Sequence, residues 1–228
     1  MGLTPPRLLV TAGPTHEPID EVRYIANRSS GRMGLALAAA GSASGFPTTL
    51  LLGPTHLQPF GTNLAVHRFR SAADLEALLT VLWPDHDVLI MAAAVSDYRP
   101  RHRAAGKLRR DAGGLTLELE STPDLVGGLA ERSRPDQYRI GFALAARDVL
   151  DDVSREKLDA KHLDAIVANP LETMDAAEIE GVLIDRSGGR ASPGGAVSKE
   201  SFAQWLVDAA AARWREKARE NVTDSRDV

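Results

Sequence analysis

Short apolar runs alternate with segments of helical period along most of this chain, and that alternation favours a mainly parallel α/β sheet. "RLLVTAG" (7–13), "TTLLLG" (48–53), "LAVHRF" (64–69), "DVLIMAAA" (87–94), "YRIGFAL" (138–144) and "DAIVAN" (164–169) read as strands. The fourth is almost continuously apolar, as suits a parallel strand covered on both faces. Between them, "MGLALAAAGSASG" (33–45) reads as a helix that Ser29 and Ser30 are placed to cap. "SAADLEALLTVLW" (71–83) reads as a second, with Ser71 as N-cap and Leu75, Leu78, Leu79 and Leu82 on one face. Further helices are expected near 124–132, 148–161 and 199–219, a strand in "LTLELE" (115–120) and an edge hairpin at about 180–192. In the last helix Phe202, Trp205, Leu206 and Ala209 share a face, a core pattern rather than a cofactor box.

The expected architecture is a Rossmann-like, mainly parallel sheet with helices on both faces. At 228 residues and 43% hydrophobic content, one domain over 1–228 suffices, with a tail that frays over about 220–228. A net charge of −4 argues against a nucleic-acid or membrane-surface binder. The absence of cysteine removes disulfides, thiolate nucleophiles and cysteine-ligated zinc. The six histidines show no ligand spacing, so no metal site is expected on the chain itself. With neither a leader pattern nor a long apolar run, the expectation is a cytoplasmic protein.

Ligands of open α/β sheets settle at the carboxyl ends of the strands, here "TAGPTHEPID", "MAAAVSDYRP", "GFALAARD" and "VANP". The loop after the first strand ends in "IANRSSGRMG" (25–34). Ser29, Ser30 and Gly31 let backbone N–H groups converge at a helix start, where a phosphate is favoured, and Arg32 adds charge. Asn27 brings a neutral amide that can donate to an oxygen as negative charge builds there. An ordinary capped loop of turn-forming residues is the other reading of this stretch. Neither the Walker pattern nor G-x-G-x-x-G is present, which disfavours a dinucleotide oxidoreductase.

A second concentration of charge, "RPRHRAAGKLRR" (99–110), gathers Arg99, Arg101, Arg103, Lys107, Arg109 and Arg110 with His102 in an acidic chain. Runs of this kind usually form a solvated face. This one follows a strand's carboxyl end, where a flap over about 97–122 could close on a nucleoside triphosphate. Non-specific nucleic-acid binding is the rival, weakened by the lack of interleaved aromatics.

Taken in order, "LVTAGPTHEPIDEVRYIANRSSGRMG", "IMAAAVSDYRP", "GKLRR", "STPDLV", "IGFAL" and "KLDAKHLDAIVAN" resemble the phosphopantothenate–cysteine ligase family, also called phosphopantothenoylcysteine synthetase. The resemblance runs from about Leu8 to Asn169 and continues more weakly to the terminal helix. It implies amide formation between 4′-phosphopantothenate and L-cysteine through an acyl-cytidylate, CTP giving CMP and pyrophosphate. ATP serves in eukaryotic members, and Mg2+ accompanies the nucleotide.

Carried over by resemblance, Asn27 and Lys107 are the catalytic pair. Met91, Ala92, Ala93, Asp97, Lys107, Pro123, Asp124, Leu125, Val126, Phe142, Lys157 and Lys161 fall at nucleotide-binding positions. Arg23, Asn27, Ser29, Ser30, Gly31 and Ala94 fall at phosphopantothenate-binding positions. The resemblance also implies a homodimer, with the flap strands in its contact. Many bacterial members carry a flavin-dependent decarboxylase domain ahead of the ligase. This chain starts at the ligase, so a separate decarboxylase is expected to take the product.

Two further departures concern residues. Arg109 and Arg110 stand where bacterial flaps often have lysines, which changes the donor geometry and leaves CTP against ATP open. Ala145 stands where the family often has glutamate. A Rossmann oxidoreductase or epimerase lacks its Tyr-x-x-x-Lys pair here. A silent nucleotide-binding module is opposed by the presence of both Asn27 and Lys107.

Overall fold

The structure, a computed structural model, describes residues 4–110, 113–174 and 176–224. The first half runs β1 (Leu8–Ala12), β2 (His16–Pro18), β3 (Tyr24–Ala26), α1 (Arg32–Ala43), β4 (Thr48–Leu52), β5 (Leu64–Arg68), α2 (Ala72–Leu82) and β6 (Val88–Met91). Then follow β7 (Tyr98–Pro100), β8 (Leu119–Ser121), β9 (Tyr138–Ala145), α3 (Leu150–Ala160) and β10 (Ala165–Pro170). The chain closes with β11 (Glu178–Ile179), β12 (Val182–Asp185), β13 (Arg190–Ala191), β14 (Val197–Ser198) and α4 (Lys199–Asp224).

Eight strands form one sheet in the order β13-β12-β10-β9-β6-β1-β4-β5. From β10 to β5 the neighbours are parallel; β12 and β13 are the antiparallel edge hairpin expected at about 180–192. Side chains alternate across the sheet. Leu8, Val10, Leu50 and Ile90 face a core shared with Leu37 of α1 and Phe202 and Leu206 of α4. Leu9, Leu51, Leu89 and Ile166 face the opposite core with Leu75 and Leu79 of α2 and Leu158 of α3. Burial on both faces explains why these strands read as unbroken apolar runs. Trp205 and Ala209 pack against the α1/α4 core, so the expected face of the last helix is the buried one.

Helix α1 lies unusually close to β1 because position 34 lacks a side chain. A Cβ on Gly34 would sit 2.4 Å from Ala12 Cβ and 2.8 Å from the Thr11 carbonyl oxygen. Gly34→Ala must therefore push the helix off the strand, and overpacking of this kind costs about 1–3 kcal/mol. The melting temperature is expected to fall by about 3–10 °C, read by calorimetry.

Several local expectations are corrected. The segment near 124–132 is a 3-10 helix, Gly127–Arg132, rather than an α-helix. Paired glycines at 127 and 128 weaken helix propagation, and the Asp124 carboxylate instead accepts from the Gly127 N–H at 3.1 Å. The long loop before α1 contains the β2–β3 ribbon, whose three-residue strands are too short to show alternation. In "LTLELE" only the end is strand, β8 extending to Ser121 and pairing with β7. The N-cap of α1 is Gly31, in the left-handed region at φ 77, so neither serine holds that position. At the other end α4 continues to Asp224, past the point where fraying was expected; residues 225–228 lie outside the described part.

Candidate active site

A cavity of about 730 Å³ opens at the carboxyl ends of β6, β9 and β10, beside the start of α1. It is lined by Asn27, Ser29, Ser30 and Gly31, and by Met91–Ala94 with Asp97. Pro123–Val126, Phe142, Lys157 and Lys161 complete the expected set around it. Arg23 and Lys107 do not line it.

The opening loop is shaped for an anion. Ser29 Oγ accepts from the Gly31 N–H at 3.3 Å and Ser30 Oγ from the Arg32 N–H at 3.4 Å. The Thr55 hydroxyl donates to the Ser30 carbonyl at 2.9 Å and fixes the loop from behind. Left-handed backbone at Gly31 lets the loop pass close to β1, where a Cβ would lie 3.4 Å from Gly13 Cα. The N–H groups of Met33 and Gly34 then have no acceptor among the described residues, and both residues line the cavity at the positive end of α1.

Asn27 Nδ2 donates to the Val95 carbonyl at 2.9 Å, tying the opening loop to the one after β6. That second loop is itself anchored to β1 and its exit. The Ala93 N–H donates to Thr11 Oγ1 at 3.0 Å, the Ser96 N–H to Thr15 Oγ1 at 3.0 Å, and the Ala94 N–H to the Gly13 carbonyl at 2.9 Å. Ala92–Ala94 thus present small side chains on a braced backbone.

Across the cavity, Lys157 and Lys161 project from the end of α3. Lys161 is paired with Asp124 at 2.8 Å, so this lysine and aspartate brace one another at the cavity wall. The Lys157 ammonium has no partner among the described residues, while its backbone carbonyl accepts from the Lys161 N–H. The charge of the flap is also reduced by pairing. Arg99 meets Glu120 at 2.8 Å and Arg101 meets Glu118 at 3.7 Å across the β7–β8 ribbon. Lys107, Arg109 and Arg110 remain exposed.

The flap is anchored as well as charged, which modifies the expectation of a freely moving segment. The Ala104 N–H donates to the Ile19 carbonyl at 2.9 Å. Buried Asp20 accepts from the N–H groups of Val22, Arg23 and Leu108 at 2.8, 2.7 and 3.1 Å. Arg23 donates to the Leu108 carbonyl at 2.5 Å and pairs with Asp20 at 3.3 Å. Arg23 is therefore a flap anchor rather than a cavity residue.

These N–H donors, that of Val22 first, hold the Asp20 carboxyl below its ordinary pKa of 3.8, despite the opposing effect of burial. A lowered folded pKa means that the contribution is complete above the unfolded value and is lost as pH falls through the folded one. Asp20→Asn is accordingly expected to flatten the decline of melting temperature below about pH 4. An acid limb identical to wild type in a calorimetric pH series would contradict this.

Sequence reasoning singled out Arg32, which does line the cavity, but missed Asn169, Thr173 and buried Lys199 as cavity residues. Asn169 could have been found, since it closes a parallel strand at its carboxyl end. Lys199 opens a helix remote in sequence and gave no signal.

Residues 3–213 match the model of the DNA/pantothenate metabolism flavoprotein C-terminal domain. A Cysteine/Cysteine sulfinic acid decarboxylase from an unknown prokaryotic organism is 41% identical over 166 residues, 73% of this chain and 46% of that protein. The Coenzyme A biosynthesis bifunctional protein CoaBC of Vibrio cholerae is 42% identical over 167 residues, 72% of this chain and 41% of that protein. The chain thus spans less than half the length of either relative. Among solved structures, the C-terminal domain of a Coenzyme A biosynthesis bifunctional protein CoaBC superposes with a TM-score of 0.78 at 30% identity, covering 94% of this chain and 98% of that one. By sequence and by fold, the chain belongs to the DNA/pantothenate metabolism flavoprotein C-terminal domain family.

Proposed function

We propose that this chain joins 4′-phosphopantothenate to L-cysteine, using CTP, or ATP in its place. The observation that carries the reading is convergence. Apart from Arg23 and Lys107, the residues carried over by resemblance surround one cavity at the strand ends. The relatedness to CoaBC supports the same pathway. The decarboxylase name of one relative belongs to a protein of which this chain matches 46%.

In the first step a carboxylate oxygen of phosphopantothenate attacks the α-phosphorus. The bond to the β-phosphate breaks, and pyrophosphate leaves from an acyl-nucleotidyl anhydride. In the second, the cysteine amine attacks the acyl carbon, the nucleoside monophosphate leaves, and the nitrogen loses a proton to form the amide. Asn27 Nδ2 exchanges its bond to the Val95 carbonyl for one to the anhydride, whose oxygens gain negative charge in both steps. The Met33 and Gly34 N–H groups at the start of α1 hold the phosphate end of the first substrate. Lys157 faces the triphosphate, and Lys161 joins it when phosphate replaces Asp124 as its partner.

Lys107 is delivered from the flap as the site closes. Mg2+ prefers phosphate oxygens and water to a protein cage. In this reading the ion arrives with the nucleotide.

Incubation with phosphopantothenate, cysteine and CTP or ATP is expected to release pyrophosphate only when phosphopantothenate is present. Release independent of it, or none with either nucleotide, overturns the reading. A homodimer is part of the proposal. Val22, Tyr24, Tyr98 and Leu119, all exposed, cluster on or beside the adjoining β2–β3 and β7–β8 ribbons and suit a contact between copies. Sedimentation is expected to give twice the chain mass; a monomer at working concentration contradicts the dimer.

A further inference from the structure

Two neighbouring strand exits are laced together where the Asn27 amide is parked. Beyond β1 and β6, the Ala94 N–H donates to the Gly13 carbonyl at 2.9 Å and the Thr15 N–H to the Ala94 carbonyl at 3.2 Å. There the backbone ladder stops, and the next donor, the Ser96 N–H, is met by the side chain of Thr15 at 3.0 Å. Thr15 is fully buried. The Ser96 hydroxyl is also buried and has no hydrogen-bond partner among the described residues, so it does not hold this turn.

The peptide unit between Val95 and Ser96 is therefore engaged at both ends. In a trans peptide the C=O and the N–H point in opposite directions. With its N–H fixed on Thr15 Oγ1, the unit turns the Val95 carbonyl the other way, where Asn27 Nδ2 donates to it at 2.9 Å. A carbonyl accepts and cannot donate, so it receives the nitrogen end of the carboxamide and turns Oδ1 away. The short ribbon reinforces the placement. Strands β2 and β3 pair His16 with Ala26, and one step further that register sets Thr15 across from Asn27. A line of contacts thus runs from buried Thr15 through the 95–96 peptide to Asn27 at the cavity wall.

We propose that Thr15 is a positioning residue for Asn27, aiming the Val95 carbonyl that holds the donor end of the amide at the cavity wall. This deepens the ligase reading and rests on it for the chemistry, while the positioning itself belongs to the free protein. An amide set in advance meets developing negative charge without reorganisation. Released, it would also present Oδ1, an acceptor that repels the anhydride oxygens. Thr15 does not line the cavity and acts only through residue 27.

Hydrogen exchange of the Asn27 side chain reads the positioning directly, followed by NMR on the intact protein and assigned by its loss in Asn27→Ala. Wild type is expected to protect one Nδ2 proton about 5- to 10-fold relative to a free carboxamide, the worth of one hydrogen bond. Thr15→Val is expected to remove that protection and Thr15→Ser to keep it. In amide formation, Thr15→Val is expected to lower kcat by about 10- to 100-fold, as a displaced catalytic group does. Its KM for phosphopantothenate should change by less than about 3-fold, because ground-state binding is untouched. Thr15→Ser restores kcat. On an Asn27→Ala background Thr15→Val should cost nothing more, since no amide is left to place.

Unprotected Asn27 protons in wild type, protection that persists in Thr15→Val, or an unchanged kcat in that variant overturns the proposal. So does a loss of kcat equal in Thr15→Val and Thr15→Ser, which marks packing, or one that adds in full to that of Asn27→Ala. Should Thr15→Val not fold, Thr15→Cys decides in its place, its sulfur being a weak acceptor and its melting temperature showing that it is intact. Wild type that releases no pyrophosphate removes the ligase reading, and the exchange experiment still decides the positioning.

Discussion

Asn27→Asp is expected to slow amide formation by about 100- to 1000-fold, the usual cost of removing one preorganised donor from a developing oxyanion. Asparagine is suited to this place because its amide donates without titrating. Aspartate has the same shape, but its carboxylate repels both the anhydride and the Val95 carbonyl that Nδ2 now contacts at 2.9 Å. The fold should tolerate the change, since Asn27 is exposed and the lost bond is worth about 1 kcal/mol. Rapid-quench measurement of both half-reactions, with melting temperature as control, separates chemistry from stability. Wild-type turnover in Asn27→Asp would remove this residue from the mechanism.

Lys107→Gln is expected to reduce pyrophosphate release by about 100-fold or more, since a cation at the transferring phosphoryl group is of the same order as an oxyanion donor. Lys107 is exposed and its ammonium has no described partner, so its loss leaves the fold unchanged. Its neighbour Leu108 is held at both backbone polar groups by Asp20 and Arg23. The lysine thus sits beside a fixed point of the flap, and closure carries it a defined way rather than by free excursion. Arg109 and Arg110 have no such anchor among the described residues and differ in donor geometry, so they do not substitute for it. Unchanged pyrophosphate release in the variant would refute the role.

The central sheet was legible because its strands are buried on both faces. Leu8–Val10 and Val88–Ile90 have no polar positions to obscure the pattern. Helix α2 was legible from its cap. Ser71 Oγ accepts from the Asp74 N–H at 3.2 Å, and Asp74 accepts from the Ser71 N–H at 2.8 Å, a reciprocal pair visible as Ser-x-x-Asp. Most of the cavity lining was legible because it follows the strand ends of a parallel sheet.

What stayed hidden depends on long-range register. Nothing local to Arg99 and Arg101 says that a ribbon will set them against Glu120 and Glu118, reducing the flap's charge. The Lys161–Asp124 pair joins α3 to a loop far earlier in the chain, and the Arg23–Leu108 contact joins the first loop to the flap. Gly31 rather than a serine caps α1 because the loop must turn through φ 77, a conformation serine rarely adopts.

The most direct test is a crystal structure of the protein soaked with phosphopantothenate and CTP in the absence of cysteine. The account predicts continuous density for the acyl-cytidylate in the cavity beside Phe142, with Asn27 Nδ2 and Lys107 Nζ both within hydrogen-bonding distance of its reacting oxygens. An anhydride bound elsewhere, or one in this cavity with residue 27 or residue 107 remote from the bond being made, would contradict it.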